Sequence, residues 1–427
     1  MQLLEADLTW NGEELVPGLR VEVSRDGRIA RVGDAREVPG TPRRLAGRAL
    51  LPGLVDAHSH AFQRGLRGRG ERFPDGAGSF WTWREAMYEL VGAMDAARLF
   101  ALSLQAFREM LAAGITTVGE FHYLHHDGSG AGWALDDAVL AAAREAGIRI
   151  VLLSAYYATG AIGKPLEGAQ LRFRARSPED YWRGFDRLPL AGPTQAAGCV
   201  VHSIRAASLV DLALVHAESV RRGLVCHMHV EEQRREMEDC RVAHGRTPMR
   251  VLLDELALDE RFTAVHCTHT EPEDLRDYLA TGANVCVCPL TEANLGDGTC
   301  DMTAIRARPD ALSLGTDSNA RISMVEEMRW AEYAQRLARE RRGVVTDERG
   351  RVAAALLSAA TRGGARSLGV EAGELRPGAW ADLVTLDLRA PSLLEVAAED
   401  LLEAWILGGG DDAVAEVCVG GDWVLGR

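Results

Sequence analysis

The sequence predicts an α/β chain whose main body is a (β/α)8 barrel, and three observations carry that expectation. Between about Leu51 and Leu368, short apolar runs alternate with stretches of helix spacing, such as "AARLFALSLQAFREMLAAG" with its closing glycine. Eight such runs can be counted: "ALLPGLVDAHSH", "ITTVGEFHY", "IRIVLLSAYY", "GCVVHSIRA", "LVCHMHVEE", "FTAVHCTH", "NVCVCPLTE" and "ALSLGTDSN". Most of them end in groups that ionise or bind metals, at His58/His60, Glu120/His122/Tyr123, His202/Arg205, His227/His229/Glu232, His266/His269 and Asp317. Barrel enzymes do their chemistry at the C-terminal ends of the strands, so this placement marks one mouth as a site.

Eight strands in about 320 residues suit such a barrel with insertions. The rival, a doubly wound open sheet, needs a glycine-rich phosphate turn after its first strand, and none is present. "GAIGK" at Gly160–Lys164 lacks P-loop spacing and reads as a surface loop. The flanks differ from the middle. The first fifty residues, with "LVPGLRVEVSRDGRIARVGD", and the last fifty, with "GAWADLVTLDL" and "AVAEVCVGGDWVLG", alternate short β-like runs with turns.

Composition narrows the function. At 427 residues, 47% hydrophobic and 26% charged, the chain fits a soluble protein with one large domain and a smaller one. A net charge of −14 argues against nucleic acid or an anionic membrane as a partner, and an anionic substrate would need arginines placed locally. No segment is long and apolar enough to span a bilayer, and "MQLLEADLTWNGEEL" has no basic start followed by an apolar core, so the expected address is the cytoplasm. The eight cysteines are scattered, several in strand-like runs, which fits reduced buried thiols. A homodimer is the default oligomer.

Residues two apart on a strand share a face, so His58 and His60 can bind one ion. The later strand-end histidines and Asp317 could complete a nitrogen and oxygen shell suited to zinc or iron. Spacing alone does not choose between His227 and His229, nor between His266 and His269. The only lysine, Lys164, sits in a loop-like segment, which disfavours a lysine-carbamate bridge between two metals and favours one divalent ion with an open position. Such an ion would make hydroxide available near neutral pH, and hydrolysis follows. Zinc base deaminases carry H-x-E and then P-C-x-x-C; "HVE" occurs here, but "CVCP" has the wrong spacing and order.

The set "DAHSH", "HVEE", "VHCTH" and "GTDS" resembles the amidohydrolase superfamily over almost the whole chain. The resemblance implies that the flanks, residues 1–50 and 375–427, pair into a small composite β-sandwich beside a barrel of residues 51–374, with "GELRPGAWADLVTLD" similar to the usual re-entry into that domain. Within the superfamily, "HSHAFQR", "FWTWREAMY", "EFHYLHHD", "HSIRA", "HVEEQ" and "TEANLGDG" are similar to the formimino-glutamate deiminases. That likeness implies hydrolysis of N-formimino-L-glutamate to N-formyl-L-glutamate and ammonia by a metal-bound hydroxide, in histidine degradation. The implied metal ligands are His58, His60, His229 and Asp317, holding one divalent ion, zinc by ligand type with iron as the second choice. The implied catalytic groups are Asp317 as general base, Glu232 as the proton carrier to the imino nitrogen, and His266 beside the developing charge.

A dicarboxylate substrate explains local arginines. Arg84 and Arg205 would each grip one carboxylate, with Gln63, Tyr123 and His202 as hydrogen-bond partners implied by the likeness. Taken alone, Arg84 reads as a surface helix residue. His122, His125 and His126 fit loop surface and pocket wall equally, and Asn294 and Gly296 read as a turn after strand seven. The chain departs from the family pattern at Asn319, where histidine or glutamine is expected, which leaves that edge of the pocket open. The alternative enzyme keeps the centre but acts on another formimino amino acid or an aminated heterocycle. A barrel without catalysis is opposed by the presence of every implied ligand and both acid/base carboxylates.

Overall fold

The computed structural model describes residues 1–427 apart from 70, 72, 74, 75, 77, 128–131, 306, 307 and 427. Five strands come first: β1 (Gln2–Trp10), β2 (Leu15–Val16), β3 (Arg20–Val23), β4 (Ile29–Gly33) and β5 (Arg43–Pro52). Eight follow with helices between them: β6 (Leu54–Ser59), β7 (Ile115–His122), β8 (Arg149–Tyr156), β9 (Gln195–Ser203), β10 (Cys226–Val230), β11 (Phe262–His266), β12 (Asn284–Val287) and β13 (Leu312–Leu314). Three return at the end: β14 (Leu383–Asp387), β15 (Val414–Val419) and β16 (Asp422–Gly426).

Strands β6 to β13 lie side by side in chain order, all parallel, and each predicted run supplies one of them. They are buried almost throughout, which is why they read as continuous apolar runs. The ring closes between its last and first members. Asp317 N–H donates to the His58 carbonyl at 2.9 Å, and His60 N–H donates to the Asp317 carbonyl at 2.9 Å. Gly315 permits that approach: a Cβ there would stand 2.6 Å from the His58 carbonyl oxygen.

The first run, "ALLPGLVDAHSH", turns out to be two elements. Its opening residues finish β5 in the other sheet, and Gly53 passes the chain across to β6, where a Cβ would lie 2.2 Å from the Thr116 hydroxyl oxygen. The second sheet is mixed and draws on both ends of the chain, in the order β16-β15-β14-β5-β1-β3-β4, with β2 on β1. It curls round a small core of its own, including Leu4, Val21, Ile29, Leu50, Leu383 and Cys418. A bridge between Arg28 and Trp380 brings its far parts together.

Helix α1 (Phe80–Gly92) leads into α2 (Ala96–Ala112), and α3 (Ala134–Ala146) follows β7. The Asp95 side chain accepts the Arg98 N–H at 2.7 Å and caps α2, whose buried face carries Leu99, Phe107, Met110 and Leu111. Gly114, at φ +84°, lets the chain leave the helix for β7. No helix among the described residues is long and apolar enough to cross a membrane. All eight cysteines are free and buried, as the sequence suggested.

Sheet and barrel are joined by one buried ion pair at the end of the barrel away from the ligands. The Arg149 guanidinium, at the start of β8, meets Asp382 through Nε–Oδ2 at 2.7 Å and Nη2–Oδ1 at 3.0 Å. Asp382 also accepts the Gly420 N–H at 2.7 Å and the Thr117 hydroxyl at 3.3 Å, and Arg149 lies over the Trp380 ring. Removing one partner strands a buried charge. Arg149→Leu or Asp382→Leu should therefore each cost about 3–5 kcal/mol, and the double variant should recover part of that loss. Chemical denaturation reads this directly, and unchanged midpoints in both single variants would refute the role.

Candidate metal centre and substrate cavity

The strand ends bring His58, His60, His229, His266 and Asp317 to one point. His58 Nε2 and His60 Nε2 lie 3.5 and 3.4 Å from Asp317 Oδ1, His58 Nε2 and His229 Nε2 are 3.2 Å apart, and His266 Nε2 is 3.9 Å from Asp317 Oδ2. The ligand atoms of His58, His60 and Asp317 all fall within 4.8 Å of one another, and so do those of His58, His229 and His266. Of the two open pairs, His229 and His266 are the members whose side chains reach this point. His227 stays deeper, with Nε2 on the Ser367 carbonyl at 2.9 Å, and His269 is not among the converging groups.

The backbone bends to achieve this. Five of the seven non-glycine residues with positive φ among the described residues are Glu231, His266, Cys267, Asp317 and Asn319, at the ends of β10, β11 and β13. Such conformations cost roughly 1–3 kcal/mol each and persist where the surroundings impose them. The turn after β10 sends Glu231 and Glu232 in different directions: Glu231 Oε1 accepts the Met249 N–H at 2.8 Å, whereas Glu232 faces the cavity.

The protonation pattern suits a cation. Burial holds the imidazoles of His58 and His229 below their ordinary range, and burial with the neighbouring His58 pushes His60 down to about 3. Neutral imidazole is the form that binds a metal. His60 Nδ1 donates to the Phe121 carbonyl at 2.7 Å, an atom that can only accept, so its Nε2 is left with a lone pair aimed at the centre. The Asp317 carboxyl is held well below its usual range: burial works against its charge, but the surrounding histidines outweigh it. Convergent lone pairs on neutral nitrogens and one ionised carboxylate are a donor set that fits one divalent ion.

Three neighbouring residues hold these side chains in place: Asp56, which the sequence did not single out, Glu120, noted there only as a strand-end group, and Asn319, noted only as a departure from the family pattern. Asp56, buried and pushed up to about 7 by that burial, accepts the Thr316 N–H at 3.0 Å, the Thr316 hydroxyl at 2.6 Å and the His58 N–H at 3.3 Å. Glu120, pushed up to about 8 by burial, accepts the Ala61 N–H at 2.7 Å and so fixes the turn that presents His60. Asn319, where the sequence left the edge of the pocket undecided, is fully buried. Its amide donates to Ser59 Oγ at 3.0 Å and to the Asp317 carbonyl at 3.1 Å, and its own carbonyl oxygen lies 2.8 Å from the Thr316 hydroxyl oxygen. The available signal was a polar residue in or just after three of the apolar runs, Asp56, Glu120 and Asn319.

Above the centre opens a cavity of about 540 Å³, counting its mouth. Its walls include Gln63, Arg84, Tyr123, His202, Arg205 and Glu232, together with His60, His229, His266 and Asp317. The Gln63 amide donates to the Tyr123 hydroxyl at 2.8 Å. Arg205 is buried, with Nε 3.2 Å from Glu236 and Nη2 3.9 Å from Glu232. Arg84 reaches the cavity from α1 and lies near the rings of Trp81 and Tyr88, so it is half-buried pocket wall. Burial raises the Glu232 carboxyl above its ordinary range, against the pull of His266 and Arg205.

His122, His125 and His126 are neither loop surface nor pocket wall. All three are buried, and His122 Nε2 and His125 Nδ1 meet Asp136 of α3 at 3.0 and 2.8 Å. Asn294 belongs to a short helix, Pro289–Leu295, which Gly296 ends in the left-handed region.

The comparisons agree with this architecture. A formimidoylglutamate deiminase of Pseudomonas aeruginosa is 39% identical over 416 residues, covering 95% of this chain and 91% of that protein. A crystal structure of an amidohydrolase from Brucella melitensis superposes with a TM-score of 0.90 at 32% identity, covering 99% of this chain and 94% of that one. A zinc-bound crystal structure described as an adenosine deaminase from Xanthomonas campestris has a TM-score of 0.81 at 23% identity, covering 99% and 92%, and shares the fold. The profile of the Amidohydrolase family matches residues 49–424, from the end of β5 through the barrel into β16, and with that span the chain belongs to the amidohydrolase family.

Proposed function

We propose that this chain hydrolyses N-formimino-L-glutamate to N-formyl-L-glutamate and ammonia, a step of histidine degradation. The observation that carries the reading is a single cavity with the histidine and aspartate centre at its floor and Arg84 and Arg205 on its wall, in a chain of net charge −14. An amidine bearing two carboxylates needs both features. The Pseudomonas aeruginosa relative, by its name, supports the same substrate.

In this reading His58, His60, His229 and Asp317 hold one divalent ion, zinc first by donor type and iron second. When bound, such an ion supplies a water whose pKa is lowered toward about 7. Arg84 and Arg205 bind the two carboxylates, and Gln63, Tyr123 and His202 orient the chain between them by hydrogen bonds. Glu232, whose burial favours the protonated form, gives its proton to the imino nitrogen and makes the formimino carbon electrophilic. Asp317 takes a proton from the attacking water. His266 is lifted to about 10: burial alone would lower it, but Glu232, Glu292 and Asp317 prevail. Its positive charge stabilises the oxygen of the tetrahedral adduct; the proton taken up by Asp317 then passes to the departing nitrogen, which leaves as ammonia, and Glu232 recovers its proton from the adduct's hydroxyl as the formyl C=O forms. The reading places a homodimer in the cytoplasm, which free buried thiols support as regards redox state.

Ammonia release from N-formimino-L-glutamate should fall by at least about 100-fold after chelation and return with added zinc or iron(II). Release that ignores the chelator, or none with either ion, would overturn the proposal. Replacing Arg84 or Arg205 by methionine should raise KM about 10- to 100-fold while changing kcat much less, because a carboxylate grip acts alike on ground and transition states. Steady-state kinetics with unchanged KM in both variants would remove the dicarboxylate assignment.

A further inference from the structure

The proposed chemistry requires His266 to keep one particular ring nitrogen toward the reacting centre. We propose that Glu292 is the positioning residue for His266, taking Nδ1 and thereby fixing Nε2 on the cavity side. The inference rests on the role given to His266 above and goes beyond it, because the sequence assigned Glu292 of "TEANLGDG" no role of its own.

Two contacts constrain the ring in different ways. His229 stacks against it with centroids 5.3 Å apart and planes at 22°, which fixes the plane. Stacking leaves one freedom, a half-turn about the Cβ–Cγ bond that would exchange Nδ1 with Cδ2 and Nε2 with Cε1. Glu292 removes that freedom. Its Oε1 lies 3.5 Å from His266 Nδ1, while His266 Nε2 lies 3.9 Å from Asp317 Oδ2. A flipped ring would turn carbon to the carboxylate and carbon to the centre.

Glu292 is suited to the task because it is itself immobile. It is buried in the short helix after β12, the strand beside β11. Its Oε1 accepts the Cys288 N–H at 3.0 Å, and its own N–H donates to the Cys288 carbonyl at 2.9 Å. The carboxylate is thus tied to the backbone at the strand end before it meets the imidazole.

The test compares Glu292→Leu, which removes the acceptor, with Glu292→Gln, which keeps one, in metal-loaded protein. Glu292→Leu should lower kcat by about 100-fold with KM within about threefold, and Glu292→Gln should recover most of that loss. Metal content should stay at the wild-type value in both. Nitrogen-15 NMR of histidine-labelled protein should show a slowly exchanging imidazole N–H in wild type and Glu292→Gln that is absent in Glu292→Leu and His266→Asn. Wild-type kcat in Glu292→Leu, loss of its metal, or persistence of that N–H signal would each overturn the inference. Failure of the wild type to release ammonia would instead remove the substrate reading, with the N–H signal still deciding what Glu292 does.

Discussion

Everything at the active mouth depends on the way the barrel closes. The last strand is joined to the first through backbone hydrogen bonds between Asp317 and the segment His58–His60, each 2.9 Å long. The residues that complete the cylinder are therefore the ones whose side chains converge inside it. Asp56 doubles the seam by holding Thr316 with both carboxylate oxygens, and Asn319 adds a side-chain clamp to Ser59. A change that loosens closure moves ligands apart, and a ligand set that pulls together draws the seam shut. Fold and site share one set of bonds at this place.

Charge is organised round that seam against the bias of the whole molecule. A strongly acidic chain lowers the local concentration of a dicarboxylate at its surface, so recognition has to be built within the cavity. Arg205 is a cation available there: buried beside Glu232 and Glu236, it keeps its charge because those carboxylates outweigh its burial, and it lines the cavity. Glu232 thereby lies on the cavity wall with an arginine and a histidine as its charged neighbours.

The eight barrel strands were legible because burial on both faces leaves unbroken apolar runs, and the convergence of the strand-end histidines because chemistry-bearing residues sit where those runs stop. Other features left no such trace. Nothing in the composition of "ALLPGLVDAHSH" marks Gly53 as the crossing between two sheets, since both halves are equally apolar. For His122 and His125 the sequence left loop surface and pocket wall equally open, because their buried partner, Asp136, comes from α3 and its pairing with them leaves no mark in the spacing. Asn319 and Glu292 act through hydrogen bonds to residues distant in the chain, a relation that spacing does not encode. The pairing of Arg149 with Asp382, over a separation of 233 residues, was hidden for the same reason.

The composite sheet also dictates when the molecule can be finished. β5, with Leu50 and Leu51 fully buried, finds its neighbour β14 only after every barrel strand has been made, and Gln2 meets Gly421 across 419 residues. During synthesis the barrel can assemble in order while β5 waits with an open, apolar edge. Long-range pairings of this kind are slow to form and prone to wrong partners in the interval. The residues from β14 onward thus act as a latch, and the vulnerable moment for this chain is the interval before they arrive.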